Sequence, residues 1–258
     1  MKNQQPLVNY QQKGQGPDVL LIHGLFGSLE NLNMVAKGLI DNYRVTSIDV
    51  RNHGNSFHEN NMSYSELALD VSRLLDHLKI ENTHVLGHSM GGKIVMEFAI
   101  NFPKRTNKLI VADIAPVEYP PHHKKIIAGL QSIDFSLVHK RKDADDQLAS
   151  YVEDSGVRQF LLRNLSNHEG VFNFKCNLDF IAQCYPQIMK AYQGNNKFNG
   201  ETLFIKGGNS DYIKSEYRSH IAKLLPNSTA KIIQGAGHWL HAEKTVAFNK
   251  IVLDFLSE

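Results

Sequence analysis

The sequence predicts an α/β protein built on a mostly parallel, doubly wound sheet, and three observations lead to this class. Short apolar runs rich in Val, Ile and Leu alternate along the chain with segments of helical periodicity. Within these runs apolar and polar residues do not alternate, as expected for strands that helices cover on both faces. The alternation of strands and helices is interrupted once, between residues 116 and 199. Repeated strand–helix units with a single interruption predict an open sheet with one insertion.

The individual elements follow from these patterns in chain order. The predicted strands are Leu7–Gln11, Val19–Ile22, Val45–Ile48, Thr83–Leu86, Leu109–Ala112, Leu203–Ile205 and Ala230–Ile233. The predicted helices between them are Leu32–Ile40, Tyr64–Leu78, Gly91–Asn101, Ser215–Leu224 and Val246–Leu256. Residues 116–199 have the pattern of several helices with aromatic side chains among them. We therefore predict a core of residues 1–115 and 200–258, and a helical cap of residues 116–199 over the strand ends.

The composition is that expected of a soluble enzyme. The 258 residues are 42% hydrophobic, which supports one large domain with an insertion. The 28 Lys and Arg nearly balance the 26 Asp and Glu, so we expect no nucleic-acid partner and no attraction to an anionic membrane. No apolar run approaches the length of a membrane span, and the first residues lack the apolar core of a signal peptide. Cys176 and Cys184 form neither a disulfide framework nor a metal signature, so we expect a cytoplasmic location.

The segment Gly87–Gly91 has the pattern Gly-x-Ser-x-Gly between a predicted strand and a predicted helix. A serine at the tip of such a turn has a strained backbone, and the residues two positions away lie too close to the strand and the helix to carry a Cβ. The turn exposes the Ser89 hydroxyl at the amino end of a helix, whose dipole favours developing negative charge. This is the nucleophile elbow of a serine hydrolase, so Ser89 is the predicted nucleophile.

A serine hydroxyl is a weak nucleophile, so it needs a base and an acid that orients the base. His238 is the predicted base, because it lies in a glycine-rich loop directly after the last predicted strand. Serine early in the chain and histidine near its end is the order found in the α/β-hydrolase fold. Two aspartates fit the acid: Asp211 follows the strand Leu203–Ile205, the commonest position in this fold, and Asp113 ends the strand Leu109–Ala112.

The developing oxyanion needs preorganised N–H donors. One predicted donor is the backbone N–H of Met90, the residue after the nucleophile. The second comes from the glycine-containing loop His23–Gly27 after an early strand, where Leu25 is favoured and Phe26 is the alternative. Gly24 in this loop allows the backbone to approach the substrate closely.

The other histidines are not predicted to be catalytic. His88 lies inside the elbow on the side away from the serine, so we expect a structural role. His122, His123 and His241 lack companions at metal-ligand spacing, and we expect them to be solvated or structural. We therefore predict that the reaction needs no metal ion and no organic cofactor.

Six motifs are distributed along the chain: His23–Ser28, Asp49–Ser56, Gly87–Lys93, Asp113–Val117, Gly207–Ser210 and Gly237–Glu243. Together they resemble the YbfF-type bacterial esterases of the α/β-hydrolase superfamily, nearly from end to end, with only the cap loosely matched. The resemblance implies an α/β-hydrolase fold, a small helical cap, and hydrolysis of acyl esters and acyl-CoA thioesters.

The resemblance also carries site residues over to this chain. It implies Ser89 as the nucleophile and His238 as the base. It favours Asp113 as the acid, because the Gly-Gly-Asn-Ser loop of similar proteins need not bear a carboxylate. This chain has Asp211 directly after that loop, so Asp211 stays an alternative. Arg51, in the second motif, is expected to steady the strand ends by pairing with a carboxylate.

The expected function is hydrolysis of a small-molecule acyl ester or thioester through an acyl-enzyme. Haloalkane dehalogenases and epoxide hydrolases use a carboxylate nucleophile, and Ser89 argues against both. Two alternatives stay open: a carbon–carbon bond hydrolase or lyase with the same triad, and a non-enzymatic protein that binds a small molecule. The side chains of the cap and pocket decide between them, and the sequence predicts neither these nor the oligomeric state.

Overall fold

A central sheet of seven strands organises the computed structural model, which describes residues 6–258. In chain order, the strands of this sheet and of a separate hairpin are β1 (Tyr10–Lys13), β2 (Asp18–Ile22), β3 (Arg44–Ile48), β4 (Thr83–His88), β5 (Thr106–Ala112), β6 (Leu165–His168), β7 (Val171–Phe174), β8 (Thr202–Gly207) and β9 (Ser228–Ile233). Their order in the sheet is β1-β3-β2-β4-β5-β8-β9, while β6 and β7 form a separate pair. β1 is antiparallel to β3, and all other neighbours in the large sheet are parallel. The predicted fold class is confirmed.

Helices cover the sheet and fill the insertion. They are α1 (Asn33–Leu39), α2 (Tyr64–His77), α3 (Met90–Asn101), α4 (Lys124–Gln131), α5 (Arg141–Leu148), α6 (Ser155–Leu161), α7 (Leu178–Met189), α8 (Arg218–Leu224), α9 (Leu240–Glu243) and α10 (Thr245–Ser257). The predicted helix Ser215–Leu224 begins with a 3₁₀ turn at Ser215–Tyr217 before it continues as α8. Within residues 6–258, no helix has both the length and the apolar character needed to cross a membrane.

The first strand starts later than the sequence predicts. The prediction was Leu7–Gln11, whereas β1 begins at Tyr10. Tyr10 pairs with Ile48, which is the last residue of β3, so the ladder has no partner strand for the preceding residues. Val8 is nevertheless buried in the core, at 2% exposure, which accounts for its apolar character without a strand.

The core lies on both faces of the sheet. In β5, Leu109 and Val111 pack into one hydrophobic cluster, whereas Ile110 and Ala112 pack into the cluster on the opposite face. Both side-chain directions of a central strand are therefore buried. This burial explains why the apolar runs of the sequence show no alternation.

The insertion of residues 116–199 leaves the sheet after β5 and returns before β8, and these two strands pair directly. It contains α4 to α7 and also the hairpin β6–β7, where the sequence predicted only helices. Glu169 and Gly170 connect the two strands, and both have positive φ, at 51° and 86°. Such a two-residue turn matches the twist of a hairpin, but glutamate at its first position gives little sequence signal for it. We call residues 116–199 the inserted segment.

Arg51 makes the pairing that the sequence suggested. Its Nε and Nη2 donate to the two carboxylate oxygens of Asp70, at 2.6 and 2.7 Å, and both side chains are buried. The two parallel bonds tie the loop after β3 to α2. The expected structural contact of Arg51 is therefore confirmed.

Candidate active site

Ser89 occupies the sharp turn between β4 and α3. Its φ of 55° and ψ of −121° lie in the sterically strained region. A Cβ on Gly87 would collide with the backbone of Gly91, and a Cβ on Gly91 would collide with the carbonyl oxygen of Ile22. The Ser89 N–H donates to the carbonyl of Ala112 at 2.9 Å, which anchors the turn to β5. The crowding predicted from the glycines is therefore found at both positions.

The side chains of Ser89, His238 and Asp113 form a continuous chain of contacts. His238 Nε2 lies 3.0 Å from Ser89 Oγ, and His238 Nδ1 lies 2.7 Å from Asp113 Oδ2. The Asp113 side chain is fully buried, while that of His238 is 18% exposed. A carboxylate at Nδ1 holds the proton on that nitrogen, so the lone pair of Nε2 faces the serine hydroxyl.

The carboxylate of Asp113 also accepts two bonds from the loop after β8. The N–H of Gly207 donates to Oδ1 at 3.0 Å, and the hydroxyl of Ser210 donates to Oδ2. Asp211, the alternative acid from the sequence, is exposed next to Ser210. The loop that was considered as the source of the acid thus supplies hydrogen-bond donors, and the carboxylate against His238 is that of Asp113.

Two aromatic side chains hold His238 in place. The ring of Tyr212 stacks on the imidazole with centroids 3.8 Å apart and an angle of 17° between the planes. His88 Nε2 lies 2.8 Å from the backbone carbonyl of His238 and donates a hydrogen bond to it. Burial, together with the nearby rings of His241 and His238, holds the pKa of His88 well below its usual range, so His88 is a neutral donor. This contact agrees with the structural role expected of His88.

The residues of the two predicted oxyanion donors, Met90 and Leu25, lie near Ser89. Met90 is the first residue of α3, where N–H groups have no acceptor within the helix. Phe26, the alternative for the second donor, already donates its N–H to His53 Nε2 at 3.1 Å. Leu25 was favoured over Phe26 as the source of the second N–H donor. Leu25 and Met90 both line a small cavity that reaches Ser89.

A larger cavity of about 250 Å³ opens over Ser89 and His238. The inserted segment contributes part of its wall, through His122, His123, Ile126, Val157, Phe160 and Leu161. Phe160 meets Trp239 from the core, with ring centroids 5.6 Å apart. No Asp, Glu, Lys or Arg is among the described residues that line this cavity. The space above Ser89 is therefore mostly apolar and without fixed charge.

Three histidines that the sequence assigned to solvated or structural roles lie along this cavity. His122 is exposed, whereas His123 is half-buried and bonds through Nδ1 to the hydroxyl of Tyr185 at 3.0 Å. His241 is buried beside His88. Burial lowers the pKa of His123 to about 3 and that of His241 to about 4, so both are neutral near pH 7. In the described part of the chain, no cluster of three metal-binding side chains is found.

Lys93 has a role that the sequence did not reveal. Its side chain is buried on α3, where Nζ donates to the carbonyls of Met189 and Lys190, at 3.2 and 2.7 Å. Nζ also lies 4.9 and 5.6 Å from the ring centroids of Tyr119 and Tyr64. These carbonyls lie at the C-terminal end of α7, so the Lys93 side chain ties the inserted segment to α3. Burial lowers the pKa of Lys93 to about 7.

Ser210 and Tyr212 were also missed as contacts of the site. Ser210 belongs to one of the six motifs, but the sequence analysis did not predict the hydrogen bond from its hydroxyl to Asp113. Its position after β8, next to β5 in the sheet, is the signal that predicts such a contact. Tyr212 carries no comparable signal, because a stacked ring depends on loop conformation.

Comparison with known proteins finds relatives that match most of the chain. Residues 17–132 match the model of the α/β hydrolase fold family. The chain is 39% identical over 249 residues to the mouse sn-1-specific diacylglycerol lipase ABHD11, covering 93% of this chain and 81% of that protein. It is 35% identical over 249 residues to esterase YbfF of Escherichia coli, covering 96% of each.

A solved structure agrees in detail with the fold. A marine microorganism esterase superposes with a TM-score of 0.94 at 38% sequence identity, covering 97% of this chain and 99% of that one. The resemblance inferred from the six motifs is confirmed by these similarities. The chain therefore belongs to the α/β-hydrolase family.

Proposed function

We propose that this protein is a serine hydrolase that cleaves carboxylic esters of small molecules through a covalent acyl-enzyme. One observation carries the proposal: the contacts from Asp113 through His238 to Ser89 end at an apolar cavity of about 250 Å³. Relatives named as esterases and lipases over most of the chain support the same class of reaction.

The proposed mechanism assigns one role to each member of the triad. His238 Nε2 takes the proton of Ser89 as the hydroxyl oxygen attacks the acyl carbonyl, and Asp113 stabilises the imidazolium that forms. The carbonyl oxygen becomes an oxyanion, which accepts hydrogen bonds from the N–H groups of Met90 and Leu25. His238 then protonates the leaving alcohol, and the acyl group stays on Ser89. A water molecule repeats the path and releases the carboxylic acid.

The inserted segment acts in this proposal as a cap that shapes the substrate site. Its side chains supply much of the cavity wall, and the wall without fixed charge suits an uncharged acyl group. Thioesters are included as substrates, because the same attack releases a thiol in place of an alcohol. We also keep the proposal of a cytoplasmic location, which the free, buried thiols of Cys176 and Cys184 support.

A hydrolysis screen tests the proposal. Aryl esters of increasing acyl length are compared with CoA thioesters of the same acids, on the wild type and on Ser89→Ala. We expect steady-state turnover of some of these substrates by the wild type and its loss in the variant. Turnover is the decisive measurement, since a binding protein that retains the triad can still react once with a fluorophosphonate. Diketones serve as the comparison, and cleavage of diketones without cleavage of any ester contradicts the proposal in favour of carbon–carbon hydrolysis.

A further inference from the structure

The segment Asp49–Ser56 has no part in the proposed chemistry, yet it braces the loop that carries Leu25. Three hydrogen bonds join the two segments, and in each one a backbone N–H group of one segment donates to a side chain of the other. The bonds are Val50 N–H to His23 Nε2 at 3.0 Å, Phe26 N–H to His53 Nε2 at 3.1 Å and Leu29 N–H to Asp49 Oδ1 at 2.7 Å. The loop after β2 is thus fixed along its length by the loop after β3.

The direction of the Leu25 N–H is set by the peptide group to which it belongs. This peptide joins Gly24 to Leu25, and the carbonyl oxygen of Gly24 lies 2.7 Å from His23 Nδ1. Val50 N–H uses Nε2 of the same ring as acceptor, so Nδ1 carries the proton and donates to that carbonyl. In a trans peptide the N–H points opposite to the C=O, so holding the carbonyl also aims the Leu25 N–H.

The next two peptide groups are held from opposite sides. The N–H of Phe26 donates to His53 Nε2, and the carbonyl of Phe26 accepts from Asn164 Nδ2 at 2.6 Å. Asn164 belongs to the inserted segment, whereas His53 belongs to the core. Both side chains are buried, at 5% and 0% exposure. Phe26 itself has a φ of 58°, a strained conformation that persists only where its surroundings enforce it.

His53 is suited to hold an N–H group at any ordinary pH. Its Nδ1 lies 3.0 Å from the carbonyl of Arg51 and donates to it, which leaves a lone pair on Nε2. Complete burial and the neighbouring ring of His23 lower the pKa of His53 to about 3. The imidazole therefore stays a neutral acceptor, and its bond to Phe26 is not lost by protonation near neutrality.

We propose that His53 and Asn164 are positioning residues of the oxyanion hole. They hold the two ends of Phe26, and thereby keep the preceding N–H of Leu25 aimed at the space above Ser89. The inference rests on the proposed function, since it assigns the hole to an acyl transfer. Because Asn164 lies in the inserted segment, the hole is complete only when that segment is seated on the core.

Matched substitutions test the proposal in the full chain. His53→Gln keeps an acceptor near the position of Nε2, whereas His53→Leu removes it. Asn164→Asp keeps the shape of the side chain but removes the donor to Phe26. The control is Asn249→Asp, because Asn249 Nδ2 makes the same kind of bond to the carbonyl of Met34, at 2.9 Å, away from the cavity.

The readouts are kcat and KM for p-nitrophenyl butyrate and the inhibition constant of an alkyl trifluoromethyl ketone. This ketone adds to the serine and places an oxyanion in the hole. We expect His53→Leu and Asn164→Asp to lower kcat at least about tenfold with little change in KM, because a misplaced donor acts on the transition state. The inhibition constant rises by a similar factor, while His53→Gln and Asn249→Asp stay within about threefold of the wild type.

The outcomes separate positioning from stability and from the proposed function. A lower melting temperature with kcat unchanged in both loss variants shows a merely structural role and overturns the inference. Loss of kcat in the control to the same extent overturns it as well. If His53→Leu fails to fold, Asn164→Asp decides by the same criteria. A wild type that hydrolyses no ester overturns the proposed function and this inference together, whereas an active wild type with unaffected variants overturns this inference alone.

Discussion

Replacing Asp113 with asparagine is the most direct test of the proposed triad. The carboxylate contacts His238 Nδ1 at 2.7 Å and accepts further bonds from Gly207 and Ser210. The side-chain oxygen of asparagine can still accept hydrogen bonds. Its NH₂ group cannot accept, and it replaces the oxygen that faces either the N–H of Gly207 or His238 and Ser210. An NH₂ group at Nδ1 favours the tautomer with the proton on Nε2, which cannot take a proton from Ser89.

The magnitude follows from two losses. The buried negative charge no longer stabilises the imidazolium, and the productive tautomer becomes the minor one. We expect Asp113→Asn to lower kcat at least about a hundredfold, which corresponds to about 2.7 kcal/mol in activation free energy. Asp211 is exposed, and we expect Asp211→Asn to lower kcat less than about tenfold.

The assay compares kcat for a p-nitrophenyl ester in the wild type and the two variants, with thermal unfolding as the control for folding. Asp211→Asn is the matched variant, because it makes the same chemical change on the adjacent strand end. A hundredfold loss in Asp211→Asn together with a small loss in Asp113→Asn refutes the reasoning. That result means that the protein uses the commoner strand end of the fold for its acid.

Three further predictions concern the nucleophile, the base and the buried lysine. Ser89→Ala keeps the fold and loses more than about nine tenths of the hydrolysis rate, measured as initial rates at equal enzyme concentration; a variant that retains more than about a tenth of the wild-type rate contradicts the nucleophile assignment. On the acid side of the profile, log kcat/KM rises with pH with the slope of one proton, because the proposed mechanism needs one neutral imidazole as general base and lowered pKa values keep His88, His123 and His241 neutral; a two-proton slope contradicts this. Burial lowers the pKa of Lys93 from 10.5 to about 7, so between these values the unfolded chain binds the additional proton and stability rises with pH. Relative to Lys93→Met, the unfolding free energy from urea titrations should rise by at most about 1.4 kcal/mol per pH unit in that window, and a difference that is independent of pH contradicts the argument.

The sequence was sufficient where a function requires a particular residue type at a fixed place in the chain. Ser89 is bracketed by glycines because any Cβ at Gly87 or Gly91 would collide with backbone, so the requirement is written in the sequence itself. The central strands were equally clear, because burial on both faces selects continuous apolar runs. Only the ends shifted, as at β1, where the partner strand decides how far the ladder extends.

The sequence was insufficient where contacts depend on the packing of distant segments. Asp113 and Asp211 both follow strands, and β5 and β8 are neighbours in the sheet, so strand position alone gives both a path to His238. The bond of Asn164 to Phe26 joins residues 138 positions apart, across the boundary of the inserted segment. The hairpin β6–β7 was missed for a local reason, since its turn uses Glu169 at positive φ, where glycine or asparagine would have indicated it.

Backbone strain connects these observations. Phe26, Ser89 and Asp113 all have positive φ, at 58°, 55° and 52°. Ser89 and Asp113 directly follow β4 and β5, and Phe26 lies four residues after β2. These three strands are neighbours in the sheet. Each conformation costs on the order of 1–3 kcal/mol, so something must hold it. The N–H of Ser89 bonds to Ala112 and that of Asp113 to Ile205, each on the adjacent strand, whereas Phe26 lies beyond the ladder.

This difference explains why side chains hold the strained backbone at Phe26, whereas backbone hydrogen bonds to the adjacent strand hold Ser89 and Asp113. Parallel pairing extends to Ser89 and Asp113, so the sheet itself enforces their strained turns. The loop His23–Gly27 has left the sheet before it reaches Phe26, and hydrogen bonds to the buried side chains of His53 and Asn164 hold Phe26 in place of a neighbouring strand. A motif between β3 and α2 that takes no part in the proposed chemistry is thereby explained by backbone strain in the loop that it supports.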